Sequence, residues 1–553
     1  MERREILKRL AMLPVAASLM PMGRIVYASD KGSETNELQG VSGGFSSSGS
    51  LLSDSNIFRS IGVEPLINCY GTYTIIGGSL ERPAVRAAME AASRNFIQYD
   101  ELADAIGKRL AELTGAEWGM VSAGCAAGLK HVTAACVTGG DPEKLIRIPD
   151  LSGFLKNEVI IPHYARTSYD HAIRNIGVRI INVYTPAELE SSISSRTAMI
   201  YVSPFSKESA TGQPLSIETI SQIAKSKGIP VLVDAAPDNL TIPSVYLKRG
   251  ATIVAYSGGK ALCGPQCAGL LLGDKKILMS AWQASSPHHG PGRDNKVGRE
   301  EMIGLLAAVE DWTKRDHEAE WKRWLLWLDL ISKKVLKIEG VRTRVYEPEE
   351  LDNKSPVLHI IWDPEKLNIT GDEVRIELGM SKPRIALGSL SEPDGNTSVN
   401  ITTGQMQPGE ETIVAERVFE ILSHKRTPKS SKMAPPSSNL AGKWDITMIF
   451  SSSICQHSFS IEQDENWIQG THSSDFEVRD MAGTIEGNQI MLRSYIPIIG
   501  DDITYVFAGT VSGDKMEGEV IMGEYRNAKF TAGRVMSKKI HQKVMMPGGP
   551  VTQ

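Results

Sequence analysis

No run of about eighteen consecutive apolar residues occurs in this 553-residue chain, so no internal segment predicts a membrane-spanning helix. Charge of one sign is not in excess either. The formal net charge is −5, which gives no global attraction for nucleic acid, and no basic stretch interleaved with aromatics is present to grip one. Cysteine is scarce. The six residues (Cys69, Cys125, Cys136, Cys263, Cys267 and Cys455) form no CxxC pair, so no metal site is predicted, and spacing leaves thiols and disulfides both open. What remains is an ordinary balance of 23% charged and 41% hydrophobic residues, that of a soluble globular protein. The length calls for two or three domains, each able to bury its own core.

Composition divides the chain. Arg3-Arg4-Glu5-Ile6-Leu7-Lys8, the modestly apolar 10–22 stretch and the small-residue site around Val26-Tyr27-Ala28 predict a twin-arginine export signal over 1–28. That signal implies a periplasmic or exported protein with no membrane span once it is removed, or a cytoplasmic one if the signal does not act. A Ser/Gly-rich linker is expected over 29–56, since it lacks the apolar surface to order itself. Over 57–311, short β-like runs alternate with amphipathic helices, the pattern of a mostly parallel sheet covered on both faces. The strand candidates are 120–122, 159–161, 179–183, 199–202, 231–233 and 253–256. Helical candidates include 83–95, with Val85, Met89, Ala92 and Phe96 on one face. A long connecting helix from Trp312 to Val335 and a smaller α/β part complete 312–424, and a Pro/Ser/Lys linker follows at 425–440. The period then changes to alternation, predicting an antiparallel β-barrel or sandwich over 441–536, before a tail at 537–553. For that β domain, side chains filling a small barrel are the simpler expectation, with a lipocalin-like ligand cup as the sharper one.

The chemistry is concentrated where strands end. In Tyr256-Ser257-Gly258-Gly259-Lys260, a lysine follows two glycines at the end of an apolar strand, a setting suited to holding the aldehyde of pyridoxal 5′-phosphate. Val231-Leu232-Val233-Asp234 ends another such strand with the acid needed to keep the pyridine nitrogen protonated. A phosphate needs a seat as well. Ser122-Ala123-Gly124-Cys125-Ala126 joins a strand to a small-residue helix, so the amides of Gly124, Cys125 and Ala126, together with Ser257, are candidates for an anion. His163, in Pro162-His163-Tyr164-Ala165-Arg166, is the candidate ring cover, and Arg166 is a candidate substrate contact. Two further cationic groups are candidates for an anionic substrate: Arg293 and Lys296 in the turn-rich 288–296 loop, and Arg384 in Lys382-Pro383-Arg384-Ile385.

Several separated motifs then occur in a familiar order: Ile67-Asn68-Cys69-Tyr70-Gly71-Thr72-Tyr73-Thr74, Gly77-Gly78-Ser79-Leu80, Asp100-Glu101-Leu102, Thr114-Gly115-Ala116-Glu117, the Gly124 turn and Ser257-Gly258-Gly259-Lys260. From about 58 to 422 the chain resembles the selenocysteine synthase-like branch of fold-type I pyridoxal-phosphate enzymes, which holds seryl-tRNA selenium transferases and D-glucosaminate-6-phosphate ammonia-lyases. The resemblance implies the lysine and aspartate roles for Lys260 and Asp234, and dimers or larger homo-oligomers with active sites between subunits. Here an export signal stands where a selenium transferase would carry a tRNA-binding domain, which favours the ammonia-lyase side. Ala165 stands near a position where lyase-like relatives tend to carry histidine. The expectation is therefore a lyase acting on a small β-hydroxy amino acid or amino sugar acid, eliminating across the α and β carbons to release ammonia and a keto acid. An aminotransferase or selenium transferase would use the same lysine and aspartate, and a non-catalytic binding protein on this scaffold is the remaining alternative.

Overall fold

The computed structural model describes residues 57–428, 432–498 and 501–535. The expected export signal, the 29–56 linker, positions 429–431 of the second linker and the tail from 537 lie outside the described residues. The chain divides into two units, one containing the described residues up to 428 and the other those from 432 onward.

The first strand, β1 (Leu66–Cys69), is followed by six strands at the positions that apolar runs predict: β2 (Trp118–Ser122), β3 (Glu158–Pro162), β4 (Arg179–Val183), β5 (Thr197–Val202), β6 (Val231–Asp234) and β7 (Ile253–Ser257). An unpredicted strand, β8 (Gly269–Gly273), completes a seven-stranded sheet of order β2-β8-β7-β6-β5-β3-β4. All pairings are parallel except those of β8, which runs against both β2 and β7. Strands β3, β5, β6 and β8 are buried along their whole length. Such burial on both faces is why they read as continuous apolar runs rather than as alternation. Because β2 and β7 point the same way, the loops after β2, β3, β5, β6 and β7 all emerge at one sheet edge, the edge where open α/β sheets bind ligands.

Helix α1 (Pro83–Ala92) starts at its proline but stops three residues before the predicted end. Phe96 thus falls beyond the helix and is 97% exposed instead of continuing its apolar face. α2 (Cys125–Thr138) follows β2 and is buried along most of its length. The expected single connecting helix is two: α3 (Arg299–Lys314) and α4 (His317–Val335). The break is at Asp316, whose carboxylate accepts the Ala319 amide at 2.9 Å and so caps the start of α4.

A second, five-stranded sheet has the order β1-β11-β12-β10-β9, built with β9 (Arg342–Tyr346), β10 (Val357–Trp362), β11 (Arg384–Ser391) and β12 (Thr397–Thr402). β1 pairs in parallel with β11, so Ile67 and Cys69 belong to the core of this smaller sheet rather than to the larger one.

In the second unit, β13 (Gly442–Ile449), β14 (Ile454–Asp464), β15 (Trp467–Ser473), β16 (Val478–Glu486), β17 (Gln489–Ile498), β18 (Asp501–Ser512), β19 (Lys515–Met522) and β20 (Tyr525–Arg534) pair successively and antiparallel. Pairing of β13 with β20 closes the ring, which decides for a barrel over a sandwich. Trp444, Phe459, Phe507 and Phe530 are among the fully buried side chains of its interior.

Candidate active site

The ends of β2 and β7 converge on β8. Ser122 and Ser257, the last residues of β2 and β7, both pair with Gly269. A β-carbon on Gly269 would lie 2.5 Å from the Gly124 carbonyl carbon and 2.6 Å from the Cys125 nitrogen, so only glycine lets the β2–α2 turn rest there. Gly124 itself has φ +88°, which a side chain disfavours. Its amide donates to the Ser122 carbonyl at 2.9 Å, and the Ser122 hydroxyl donates to the Gly124 carbonyl at 2.9 Å. The first-turn amides of α2, from Cys125 and Ala126, therefore start from a fixed turn at the ligand-binding edge.

Asp234, at the end of β6, is 2% exposed. It accepts a hydrogen bond from the Tyr201 hydroxyl at 2.9 Å, from the Ala236 amide at 3.2 Å and from the Cys125 thiol at 3.6 Å. Burial raises its pKa, while Tyr201, the Ala236 amide and the Lys260 ammonium oppose that rise. The Cys125 thiol is held well above its ordinary value, first by burial and then by the Asp234 charge, so it stays a protonated donor. All six cysteines are unpaired thiols.

Lys260 lies in the turn after β7, half-buried. Its ammonium acts on Asp234, Asp238 and Asp352 alike. Asp238 and Asp352 pair through an isolated β-bridge, which brings the 351–353 segment of the smaller sheet's domain to the lysine. Burial pushes Asp238 up to about 7, with Asp352 adding to the rise and the hydrogen bond from the Tyr246 hydroxyl opposing it. The glycines before Lys260 pack against the chain itself. A β-carbon on Gly258 would meet the Ala268 carbonyl at 2.8 Å, and one on Gly259 would meet Gln266 Cα at 2.4 Å. Their small size thus seats the lysine turn on the chain's own 266–268 segment.

A cleft of about 1200 Å³ opens beside this turn, lined by Ala261, Cys263, Arg82, Arg315, Trp312 and Asp352 among others. Tyr70 and Tyr73 of the 67–74 motif also line it and stack at 4.4 Å. Asn68 shapes that motif, its side-chain oxygen accepting the amides of Tyr70 and Gly71 at 3.0 Å each.

These contacts link Asp234 with Cys125 and Lys260, and Ser257 with the Gly124 turn through Gly269, while Ala126 is exposed in the first turn of α2. Of the other predicted residues, His163, Arg166 and Arg293 have partners of their own. His163 follows β3 at the same edge, stacks on Tyr184 at 4.9 Å and places Nε2 3.3 Å from Glu208. Arg166, expected to meet substrate, is only 10% exposed and pairs with the buried Asp170, while its Nη1 donates to Asn182 at 2.7 Å. Arg293 is exposed, and its guanidinium donates to the Ser286 hydroxyl at 2.9 Å. In the same loop Lys296 is exposed, whereas Asp294 holds Lys130 at 2.8 Å. Arg384 opens β11, opposite Leu66 of β1, and is half-buried. Sequence reading missed Tyr201, Asp238 and Asp352. Tyr201 carried one usable signal, since a phenol inside a strand buried on both faces requires a partner for its hydroxyl.

The aminotransferase class-V family profile matches residues 164–293, which include β4 to β8 and Lys260. Over 379 residues the chain is 28% identical to the D-glucosaminate-6-phosphate ammonia lyase of Salmonella typhimurium (strain 14028s / SGSC 2262), covering 67% of this chain and 98% of that protein. A solved structure of a D-glucosaminate-6-phosphate ammonia-lyase superposes with a TM-score of 0.59 at 27% identity, again over 67% of this chain and 98% of the other. These likenesses are to pyridoxal-phosphate-dependent enzymes of fold-type I, in the branch the motifs resemble. The likeness does not point to one reaction alone. The 5′-C-glycyluridine monooxygenase-decarboxylase of a Streptomyces species is 27% identical over 375 residues, covering 66% of this chain and 92% of its own.

Proposed function

We propose that this protein is a pyridoxal-phosphate-dependent lyase acting on a β-hydroxy amino acid or amino sugar acid. The observation that carries the reading is the meeting of Lys260, the buried Asp234 and the Gly269-seated amide turn at one sheet edge. The likeness to an ammonia lyase along nearly that protein's whole length supports the choice of reaction.

The residues fit the cofactor. A carboxylate buried as deeply as Asp234 is favoured in its charged form by a protonated ring nitrogen. The turn that Gly269 admits offers Gly124, Cys125 and Ala126 amides to a phosphate, with Ser257 across Gly269. When bound, the cofactor supplies an electron sink for the carbon that loses its proton. With the cofactor bound, Lys260 Nζ would hold its aldehyde carbon between turnovers, and in each turnover would take the proton from the substrate's α-carbon. Asp234, fixed by Tyr201 and the Ala236 amide, keeps the ring nitrogen protonated. The β-hydroxyl leaves as water with a proton. The resulting enamine is hydrolysed to a keto acid and ammonia, so one water is lost and one is taken up and no oxidant is required. Asp238 and Asp352, facing Lys260, exchange protons with its amine, a role suited to a carboxyl held near 7.

The test is a panel of D- and L-β-hydroxy amino acids and amino sugar acids, with ammonia and keto acid measured together. Equal yields from at least one substrate are expected, and borohydride treatment of the resting protein should leave a pyridoxyl group on the Lys260 peptide. A stable amino form of the cofactor with no free ammonia would instead make the protein a transferase. Failure to take up the cofactor at all removes the proposal.

A further inference from the structure

The barrel contains a buried cation with no ion-pair partner among the described residues. Arg479, at the start of β16, faces inward and is 8% exposed, yet its Nε and Nη1 have no hydrogen-bond partner. Its guanidinium lies 4.7 Å from the centroid of the Tyr505 ring. Directly across the β15–β16 ladder is His472, fully buried. A chain of polar side chains runs from there: Cys455 Sγ is 3.2 Å from His457 Nε2, His457 Nδ1 is 2.8 Å from His472 Nε2, and His472 Nδ1 is 2.8 Å from Ser494 Oγ. These residues share the end of the barrel that carries the 450–453 and 474–477 turns.

Among the described side chains, no group in this layer forms an ion pair that offsets the charge. Burial holds both histidines below their ordinary pKa, His472 down to about 3, and the charge of Arg479 adds to the effect, so both are neutral. Serine, tyrosine and thiol are neutral as well. Asp475, in the neighbouring turn, is exposed and forms no ion pair with Arg479 among the described residues. An unpaired buried guanidinium is costly, and its planar donors match the oxygens of a carboxylate or phosphate. The far end of the same interior is filled with apolar side chains such as Trp444, Ile461, Ile485 and Val511, so the polar layer is confined to one mouth of the barrel.

We infer that this mouth of the barrel is a binding site for a small oxyanion, a carboxylate or phosphate group, with Arg479 as its anchor and Tyr505, His472 and Ser494 as its wall. The site is independent of the lyase reading. It is tested on the full cofactor-loaded chain with carbon-13-labelled histidine rings, the His472 signal being assigned through His472→Gln. Benzoate, inorganic phosphate and the uncharged benzamide are titrated separately. Saturable movement of the His457 and His472 signals with benzoate or phosphate, and none with benzamide, is expected. Whichever anion acts identifies the source of the oxyanion. Arg479→Gln should weaken that response at least about tenfold, with Arg479→Lys between the two. The site is overturned if benzamide acts as strongly as benzoate, if neither anion moves these signals, or if the response survives Arg479→Gln. Should Arg479→Gln not fold, the contrast between benzoate, phosphate and benzamide on the native protein still decides.

Discussion

Asp234 and Arg479 are both charged groups taken out of water, and their surroundings differ in a way that separates the two units. Asp234 has a phenol, an amide and a thiol aimed at it and an ammonium facing it. Arg479 has an aromatic face and two nitrogens with no hydrogen-bond partner among the described residues. A prepared carboxylate is a component that already has its protein partners. An unprepared guanidinium in a layer of neutral groups is a component kept at a cost to the barrel's stability, which is the behaviour expected of a binding residue rather than a structural one.

The largest effect that would break this comparison is at Lys260. Lys260→Ala should lower turnover by about a thousandfold or more, because proton transfer by a placed side chain contributes that order of magnitude, while leaving the protein folded. Steady-state ammonia release and circular dichroism together check it. A variant retaining even a tenth of native turnover would show that the amine is not where the reaction occurs. Next is the seat of the phosphate. Gly269→Ala brings a β-carbon within 2.5 Å of the Gly124 backbone, which should cost about 1–3 kcal/mol of stability through overpacking. Cofactor retention should fall with it, measured by absorbance after gel filtration. Full retention at native stability would mean that the β2–α2 turn is free to move.

A change of opposite sign belongs to the barrel. Replacing Arg479 by methionine removes an uncompensated charge and keeps most of the volume. The barrel should therefore become more stable by about 1–2 kcal/mol in the absence of any anion. Hydrogen exchange of the β13–β20 amides in the full chain reads this directly, as roughly tenfold slower exchange. Asp234→Ala, by contrast, leaves the Tyr201 hydroxyl buried without its acceptor and should destabilise its own unit by about 1–3 kcal/mol. If both substitutions moved stability the same way, the distinction between a prepared and an unprepared charge would be lost.

The same distinction explains what the sequence could and could not disclose. Asp234 and Lys260 stand out because each ends an apolar run, so a strand buried on both faces announces its own boundary with a polar residue. β8 was missed because its three leucines lie between glycines and follow closely on the lysine turn. That run is short enough to read as loop, and only the antiparallel return to β7 makes it a strand. Tyr201 was hidden inside an apolar run where a phenol counts as core. Asp238 and Asp352 are separated by more than a hundred residues and meet only through the bridge between the two sheets' domains. Arg479 was illegible for another reason. In Val478-Arg479-Asp480-Met481 the two apolar residues are three apart, so alternation cannot bury both; the barrel buries Arg479 and Met481 and leaves Val478 70% exposed. Registry with His472 across the ladder, not the local pattern, sets which way that residue faces.

The smallest predicted effect is a pH term in the barrel, and its sign follows from His472. Burial lowers its folded pKa from 6.5 to about 3, so in that interval the unfolded chain binds the proton and the folded one does not. Stability from this group is therefore complete above 6.5 and is lost as pH falls toward 3. Between about pH 7 and pH 6 the loss amounts to roughly 0.7 kcal/mol, or about threefold faster exchange of the β13–β20 amides after correction for intrinsic rates. His472→Gln should flatten that slope. Asp238 acts in the opposite direction in the other unit, since its raised pKa makes its contribution complete below about 3.9 and lost as pH rises toward 7. Protection that weakens in the barrel on mild acidification, while the Asp238 term strengthens the 57–428 unit, would separate the two interiors by sign. A barrel whose exchange is flat over that pH unit would mean that His472 takes up a proton without unfolding, and an open, hydrated mouth would then replace the dry polar layer around Arg479.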